Sequence, residues 1–236
     1  MLERLDYVKL APRRILDAGS GPGRDARALA SRYRGAELIA LDYALAMLPR
    51  PGRLARWLRR GVMPLCADFT RLPLASQSVE LVWSNMGLHW VNDPLAAFRE
   101  FERVLGGEGL LMFSTLGPDT LKELRAAASG SRVHAFTDMH DLGDMLVAAG
   151  LTSPVMDMEL VHVDYASGAQ LLADLRSSGQ TNARADRARG LRGRGFLESL
   201  RAAPLRATYE VVYGHAWKRA SAAPAVKTVR VFKRIP

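Results

Sequence analysis

The feature that most constrains this fold is an apolar run that ends in an acid and is followed by glycine at every second position, in residues 15–23. The apolar part predicts a buried strand. The glycines predict a tight turn where backbone approaches a ligand without an intervening Cβ. Residues 24–30 then predict a helix whose N-terminus points back at the turn. Together they predict a nucleotide-type cradle at the carboxyl end of a first strand; the alternative is a tight turn without a ligand.

The glycine spacing distinguishes among nucleotide cofactors. Gly19, Gly21 and Gly23 depart from the dinucleotide fingerprint G-x-G-x-x-G, because the third glycine comes one place early. Asp17, two residues before the first glycine, would repel a pyrophosphate but attract a cation. S-adenosylmethionine carries a sulfonium and an ammonium and no phosphate, so it fits this acid better. The pattern D-x-G-x-G-x-G resembles the first motif of class I methyltransferases.

Two further predicted strands also end in acids. Residues 37–42 end at Asp42, which is placed to accept from the ribose hydroxyls, a feature shared with NAD enzymes. Residues 62–67 lead into Asp68 and Phe69, and the resemblance implies an adenine contact there. The cofactor-binding set that we predict is Asp17, Ala18, Gly19, Ser20, Gly21, Asp42, Tyr43, Met47, Asp68, Phe69 and Asn85.

Strand and helix patterns alternate over more than 100 residues, which predicts an α/β fold with a parallel, doubly wound sheet. The remaining predicted strands are 79–84, 109–115, 154–163 and 207–217, and the predicted helices are 44–48, restarting at Pro51, 94–105, closed by Gly106 and Gly107, and 138–149. The resemblance implies a Rossmann-like sheet of seven strands with the last antiparallel. We predict a methyltransferase domain in residues 1–167 and 207–236, and a small helical, arginine-rich lid insertion in residues 168–206.

Composition and charge narrow the class of partner. The net charge is +9, and residues 176–206 hold eight arginines against two acids, which suits nucleic acid or an acidic protein. Solvated helix faces explain the other arginine cluster, in residues 50–60, at least as well. The single Cys66 excludes an internal disulfide and a cysteine-based zinc site. Without an apolar run of about 18 residues or a signal-peptide pattern, we expect a cytoplasmic protein with no membrane contact.

A longer similarity involves stretches that are not generic to methyltransferases. Residues 13–218 are similar to the malonyl-acyl-carrier-protein O-methyltransferase family of biotin synthesis, through 72–74, 83–93, 113–125, 174–176, 180–182 and 207–214. The resemblance implies methyl transfer from S-adenosyl-L-methionine to the free carboxylate of a malonyl thioester, on acyl-carrier protein or on CoA. The sequence departs from this family at His89, where many members have glutamine. A mitochondrial complex I assembly factor that hydroxylates arginine shares residues 89–93 and 207–209.

The implied chemistry needs no general base, because a carboxyl group titrates near 4 and is already ionised near pH 7. Proximity and alignment can then supply most of the catalysis. His89 follows the fourth strand near the expected methyl group, although a packed histidine is the favoured interpretation. The substrate-positioning candidates are His89, Arg176, Asn182, Arg184 and Tyr209. The alternatives left open are an RNA methyltransferase, which no aromatic-interleaved basic motif supports, a small-molecule methyltransferase, and a hydroxylase-like or non-catalytic assembly protein.

Overall fold

The computed structural model describes residues 1–48, 62–127, 134–179 and 205–220. These residues form a seven-stranded sheet, whose strands are β1 Arg14–Ala18, β2 Glu37–Asp42, β3 Val62–Cys66, β4 Val79–Asn85, β5 Leu105–Leu116, β6 Leu151–Tyr165 and β7 Leu205–Lys218. Their order in the sheet is β3-β2-β1-β4-β5-β7-β6. β1 to β5 are parallel, whereas β7 runs antiparallel to both of its neighbours. The predicted doubly wound sheet with an antiparallel last strand is confirmed.

Five α-helices accompany the sheet in the described part of the chain: α1 Arg24–Arg32, α2 Pro94–Val104, α3 Lys122–Ala127, α4 Met139–Ala148 and α5 Gly168–Ser177. α2 begins where the Asp93 side chain accepts from the backbone N–H of Ala96 at 3.0 Å, and Pro94 occupies its first turn. A short 3-10 helix, Leu2–Tyr7, precedes β1. None of the described helices is long and apolar enough to span a membrane.

Two local predictions are wrong. Residues 44–48 form turns rather than a helix, with the backbone N–H of Met47 on the Ala44 carbonyl at 2.9 Å, because Pro49 disfavours helical backbone just before it. Gly106 and Gly107 do not close α2. That helix ends at Val104, and Leu105 starts β5 at once because it is buried and pairs with Val79 of β4. The predicted restart at Pro51 lies outside the described residues.

The core lies on both faces of the sheet, and a third apolar cluster lies at one edge. On one face α2 and α4 pack through side chains such as Phe98 and Phe101; on the other, α1 and the 3-10 helix contribute Leu29 and Leu5. The third cluster joins α3, α5, β6 and β7 through Leu121, Leu124, Tyr165, Leu171, Leu175 and Ala207.

This third cluster lies beyond the carboxyl end of β5. Leu116 at the end of β5 pairs with Val211, so residues 205–210 of β7 extend beyond the carboxyl end of β5. α5, the first part of the predicted lid insertion, packs there. The base of the predicted lid insertion therefore lies at the edge of the sheet where β1, β2 and β4 also end. The division into domains stays a prediction, because residues 180–204 lie outside the described part of the chain.

Candidate cofactor and acceptor site

The predicted glycine turn is formed between β1 and α1. Gly19, Gly21 and Gly23 have φ angles of 81°, 51° and 75°, in the left-handed region that favours glycine. The backbone N–H groups of Gly19 and Ser20 donate to the Leu41 carbonyl at 2.8 and 2.9 Å, which ties the turn to β2. Gly23 is the N-cap of α1, so the helix N-terminus points at the turn.

Gly87, which the sequence did not identify, presses the end of β4 against this turn. A Cβ on Gly19 would lie 3.1 Å from Gly87 Cα and 3.1 Å from Phe69 Cζ. A Cβ on Gly87 would lie 3.0 Å from Ser84 Oγ and 3.1 Å from the Ala18 carbonyl oxygen. The strand ends therefore meet at a spacing where an added Cβ would force its neighbours to move by a few tenths of an ångström. The signal in the sequence was a glycine three residues after a predicted strand.

Asp17 is a buried carboxylate with an unused oxygen. It lies in β1 and is 1% exposed, and within the residues that the structure describes neither its Oδ2 nor the Ser20 hydroxyl has a hydrogen-bond partner. The pKa of Asp17 is raised to about 7, chiefly by burial and in smaller part by the nearby charges of Asp25 and Asp42. A cation next to Asp17 would offset the cost of ionising a buried carboxyl group and the repulsion from Asp25 and Asp42. The arrangement thus fits the ammonium and sulfonium of S-adenosylmethionine.

Asp42 holds the turn and still faces the same edge. Its Oδ2 accepts from the Gly21 N–H at 2.9 Å, and its Oδ1 accepts from the Ala44 N–H at 2.8 Å. Tyr43 and Met47 are 77% and 49% exposed, and the Met47 methyl lies 3.9 Å from where a Gly21 Cβ would be. The rim of the cradle therefore carries exposed apolar side chains.

The third predicted acid and its apolar neighbour differ in environment. Asp68 is exposed and accepts from both the N–H and the hydroxyl of Thr70 at 2.8 Å. Phe69 is buried, its ring lies against Gly19 and Gly87, and its centroid is 5.7 Å from that of Phe101. Phe69 forms the floor beneath the glycines, while Asp68 stands at the surface beside it.

Asn85 belongs to a hydrogen-bond network whose central member, Asp25, the sequence analysis missed. Asn85 Nδ2 and Trp83 Nε1 donate to Asp25 Oδ2 at 2.8 and 2.9 Å. Ser114 Oγ donates to Asn85 Oδ1 at 2.6 Å and accepts from the Met86 N–H at 3.1 Å. An acid in the first turn of a helix is ordinary by itself, so nothing marked Asp25. The network joins α1, β4 and β5 beneath the turn.

His89 lies in a 3-10 helix, Leu88–Trp90, directly after β4. The residue is half-buried, but both ring nitrogens are enclosed and have no hydrogen-bond partner among the described residues. Its ring centroid is 5.1 Å from that of Trp90 and 6.2 Å from that of Phe136, and His134 stacks on Phe136. Burial lowers the pKa of His89 to about 4, with a further contribution from His134, so the imidazole is neutral near pH 7.

The other acceptor candidates lie at the third cluster or outside the described residues. Arg176 is exposed in the last turn of α5, and Tyr209 is half-buried on β7. In the described part of the chain no hydrogen bond joins either to the cradle. The Tyr165 hydroxyl, which anchors α5 to β6, donates to Asp174 Oδ2 at 3.0 Å. Asn182 and Arg184 lie outside the described residues.

The sheet order, the glycine turn and the buried acid define a class I methyltransferase fold. A family model described as "Methyltransferase domain" matches residues 16–113. The YcgJ protein of Bacillus subtilis has the same fold, with a TM-score of 0.65, 18% identity, and coverage of 93% of this chain and 97% of that one. A putative methyltransferase of Bacillus halodurans has a TM-score of 0.62 at 15% identity, covering 93% and 97%.

Curated relatives name the family. A malonyl-[acyl-carrier protein] O-methyltransferase of Methylovorus sp. is 51% identical over 237 residues, 92% of this chain and 79% of that protein. The enzyme of the same name from Gallionella capsiferriformans is 50% identical, over 93% and 82%. The chain belongs to the malonyl-acyl-carrier-protein O-methyltransferase family, as predicted. The RNA, hydroxylase-like and assembly-protein alternatives are not favoured.

Proposed function

We propose that this chain transfers a methyl group from S-adenosyl-L-methionine to the free carboxylate of a malonyl thioester on acyl-carrier protein, an early step of biotin synthesis. The observation that carries this proposal is the 51% identity, over 92% of the chain, to a relative with that name. Malonyl-CoA presents the same carboxylate and thioester and is the alternative acceptor.

The described residues fit S-adenosyl-L-methionine, which supplies an electrophilic methyl group on a positively charged sulfur. Asp17 Oδ2 has no hydrogen-bond partner within the described ranges and would accept from the ammonium group. Each Asp42 oxygen already accepts one backbone N–H and retains a lone pair for a ribose hydroxyl. Ala18, Gly19, Ser20, Gly21, Tyr43, Met47, Asp68, Phe69 and Asn85 complete the proposed cofactor-binding set, along the turn and its rim.

The protein's part in catalysis is mainly positioning, because the acceptor carboxylate is ionised without help. A cation best holds this carboxylate, and a bidentate arginine suits its planar geometry. Arg176 and Arg184 are the proposed anchors, with Asn182 and Tyr209 as hydrogen-bond partners. The remaining arginines of residues 176–206 would dock an acidic carrier protein, which favours fast and salt-sensitive association.

A buried polar network supports the acceptor side of this site. Glu210 of β7 is 5% exposed and accepts from the Asp119 N–H at 2.7 Å, and Glu123 accepts from the Thr208 N–H at 3.0 Å. The segment that follows β5 is therefore fastened to β7 at the edge where the cradle opens. This segment and residues 207–214 are two of the stretches that carry the family resemblance.

A methyl-transfer assay tests the function. Purified protein with S-adenosyl-L-methionine labelled on the methyl group is offered malonyl-acyl-carrier protein, malonyl-CoA and RNA separately. The expected product is a labelled methyl ester on the malonyl group that alkali releases. Label in RNA alone, or no transfer while calorimetry shows cofactor binding, would overturn the proposal. Comparing the rates on the two thioesters decides between the carriers.

A further inference from the structure

We propose that His89 binds the acyl group of the acceptor, donating a ring N–H as a neutral imidazole to an oxygen of the malonyl thioester. This inference rests on the proposed function, because it assigns a residue to that acceptor. It reverses the sequence-based interpretation of His89 as a packed histidine. The imidazole acts here as a positioning group, and no proton is transferred.

The topology places His89 at the opening of the site. The strand order reverses between β1 and β4, and ligands of open α/β sheets bind at the carboxyl ends of strands at such a point. The glycine turn follows β1, and the segment with His89 follows β4. Gly87 packs on Gly19 and on the Ala18 carbonyl, so His89 stands two residues from the cradle wall.

The backbone that presents His89 is held rigidly. Met86 has a φ of 56°, unusual for a residue with a side chain, and its N–H is bound to Ser114 through both the hydroxyl and the carbonyl at 3.1 Å. Such strain persists only where the surroundings enforce it, and it clusters at functional sites. The direction of the segment carrying His89 is thus set by β5.

The hydrogen-bonding capacity of the His89 side chain is unused within the described residues. Both ring nitrogens are buried and have no partner in the described part of the chain, whereas most buried polar side-chain atoms in native proteins are hydrogen-bonded. A leucine or phenylalanine would fill an aromatic pocket without this cost. The ring nitrogens are shielded from solvent, which strengthens any hydrogen bond that they make. A ligand oxygen is the missing partner that this arrangement accepts.

Two roles can be set against this one. A general base would need a histidine that titrates close to neutral pH, but burial lowers the pKa of His89 to about 4, and the acceptor has no proton to remove. A purely structural histidine would have partners, as His140 has in Asp138 at 2.9 Å and His162 has in Thr208 at 3.1 Å. His89 has no such hydrogen-bond partner among the described residues.

The test compares H89Q and H89L, with H140L as a control on an exposed histidine that hydrogen-bonds to Asp138. A glutamine amide retains a neutral donor and an acceptor, so H89Q should keep kcat/KM for malonyl-pantetheine within a few-fold of the parent. H89L should lose about tenfold or more, the worth of one hydrogen bond to a buried group. Cofactor affinity by calorimetry and the melting temperature should not fall. H140L should match the parent.

A second measurement is independent of turnover. In protein loaded with S-adenosylhomocysteine, the His89 ring nitrogen resonances should shift when malonyl-pantetheine is added, and those of His140 should not. Full activity of H89L, or an unmoved His89 resonance at saturating thioester, would overturn the inference while the proposed function stood. If the parent transfers no methyl group at all, the function fails, and the resonance shift still decides whether His89 binds the thioester.

Discussion

Asp17 offers the sharpest test of the electrostatics of this site. Its carboxyl is buried beside Asp25 and Asp42, and its pKa is raised from 3.8 to about 7. In the unfolded chain the same group ionises near its ordinary value. Between these two values the folded protein keeps a proton that the unfolded chain has released, so stability falls as pH rises through this window. Asp17→Asn removes the ionisation and therefore this dependence.

The magnitude follows from the gap between the two pKa values. The gap is about three pH units, and each is worth about 1.36 kcal/mol, so the parent should lose up to about 4 kcal/mol relative to the variant between pH 4 and pH 8. Denaturant unfolding of both cofactor-free proteins across this range measures the difference. The variant should be the more stable protein at pH 8 and yet bind S-adenosyl-L-methionine poorly.

Cofactor binding should depend on the same ionisation of Asp17, but it should favour the ionised form, whereas folding favours the protonated form. A cationic ligand selects the ionised carboxylate, so the affinity of the parent should rise as pH rises through about 7. Asp25→Asn removes a neighbouring charge and should move this rise to lower pH. A stability difference between parent and Asp17→Asn that is the same at pH 4 and pH 8 would refute the reasoning, because Asp17 would then not be held protonated.

Three other changes test the cradle, its support and the docking surface. Gly87→Ala puts a Cβ 3.1 Å from the Ala18 carbonyl oxygen, so thermal unfolding should show a loss of about 1–3 kcal/mol, and calorimetry should show weaker cofactor binding; a neutral effect would contradict the tight packing. Asp25→Ala strips the acceptor from Trp83 and Asn85 and should cost about 1–3 kcal/mol in denaturant unfolding, whereas the exposed Asp141→Ala should cost little. Charge reversal at Arg192 and Arg194 should raise KM for malonyl-acyl-carrier protein but not for malonyl-pantetheine, and added salt should diminish the difference. Equal losses on both acceptors would mean that these arginines do not act as a docking surface.

Much of the fold follows from local patterns. The apolar run before Gly19 and the alternation of strands and helices predicted the parallel sheet, because each pattern reports burial within a few neighbouring residues. One of the two local errors arose where tertiary pairing overrode a local signal. Leu105 pairs with Val79, so β5 begins before the glycines that were expected to cap α2.

The sequence by itself determined the cradle, since a left-handed turn at Gly19, Gly21 and Gly23 and an acid two residues earlier are set by consecutive positions. Only the tertiary structure decided how that cradle is supported. The pairing of Asn85 with Ser114 in register brings their side chains together, and Asp25 completes the network from a helix about 60 residues away. It likewise decided that the ring nitrogens of His89 are buried with no hydrogen-bond partner among the residues described. Hydrogen-bond partners of buried groups depend on strand register and helix packing, which no local pattern of residues encodes.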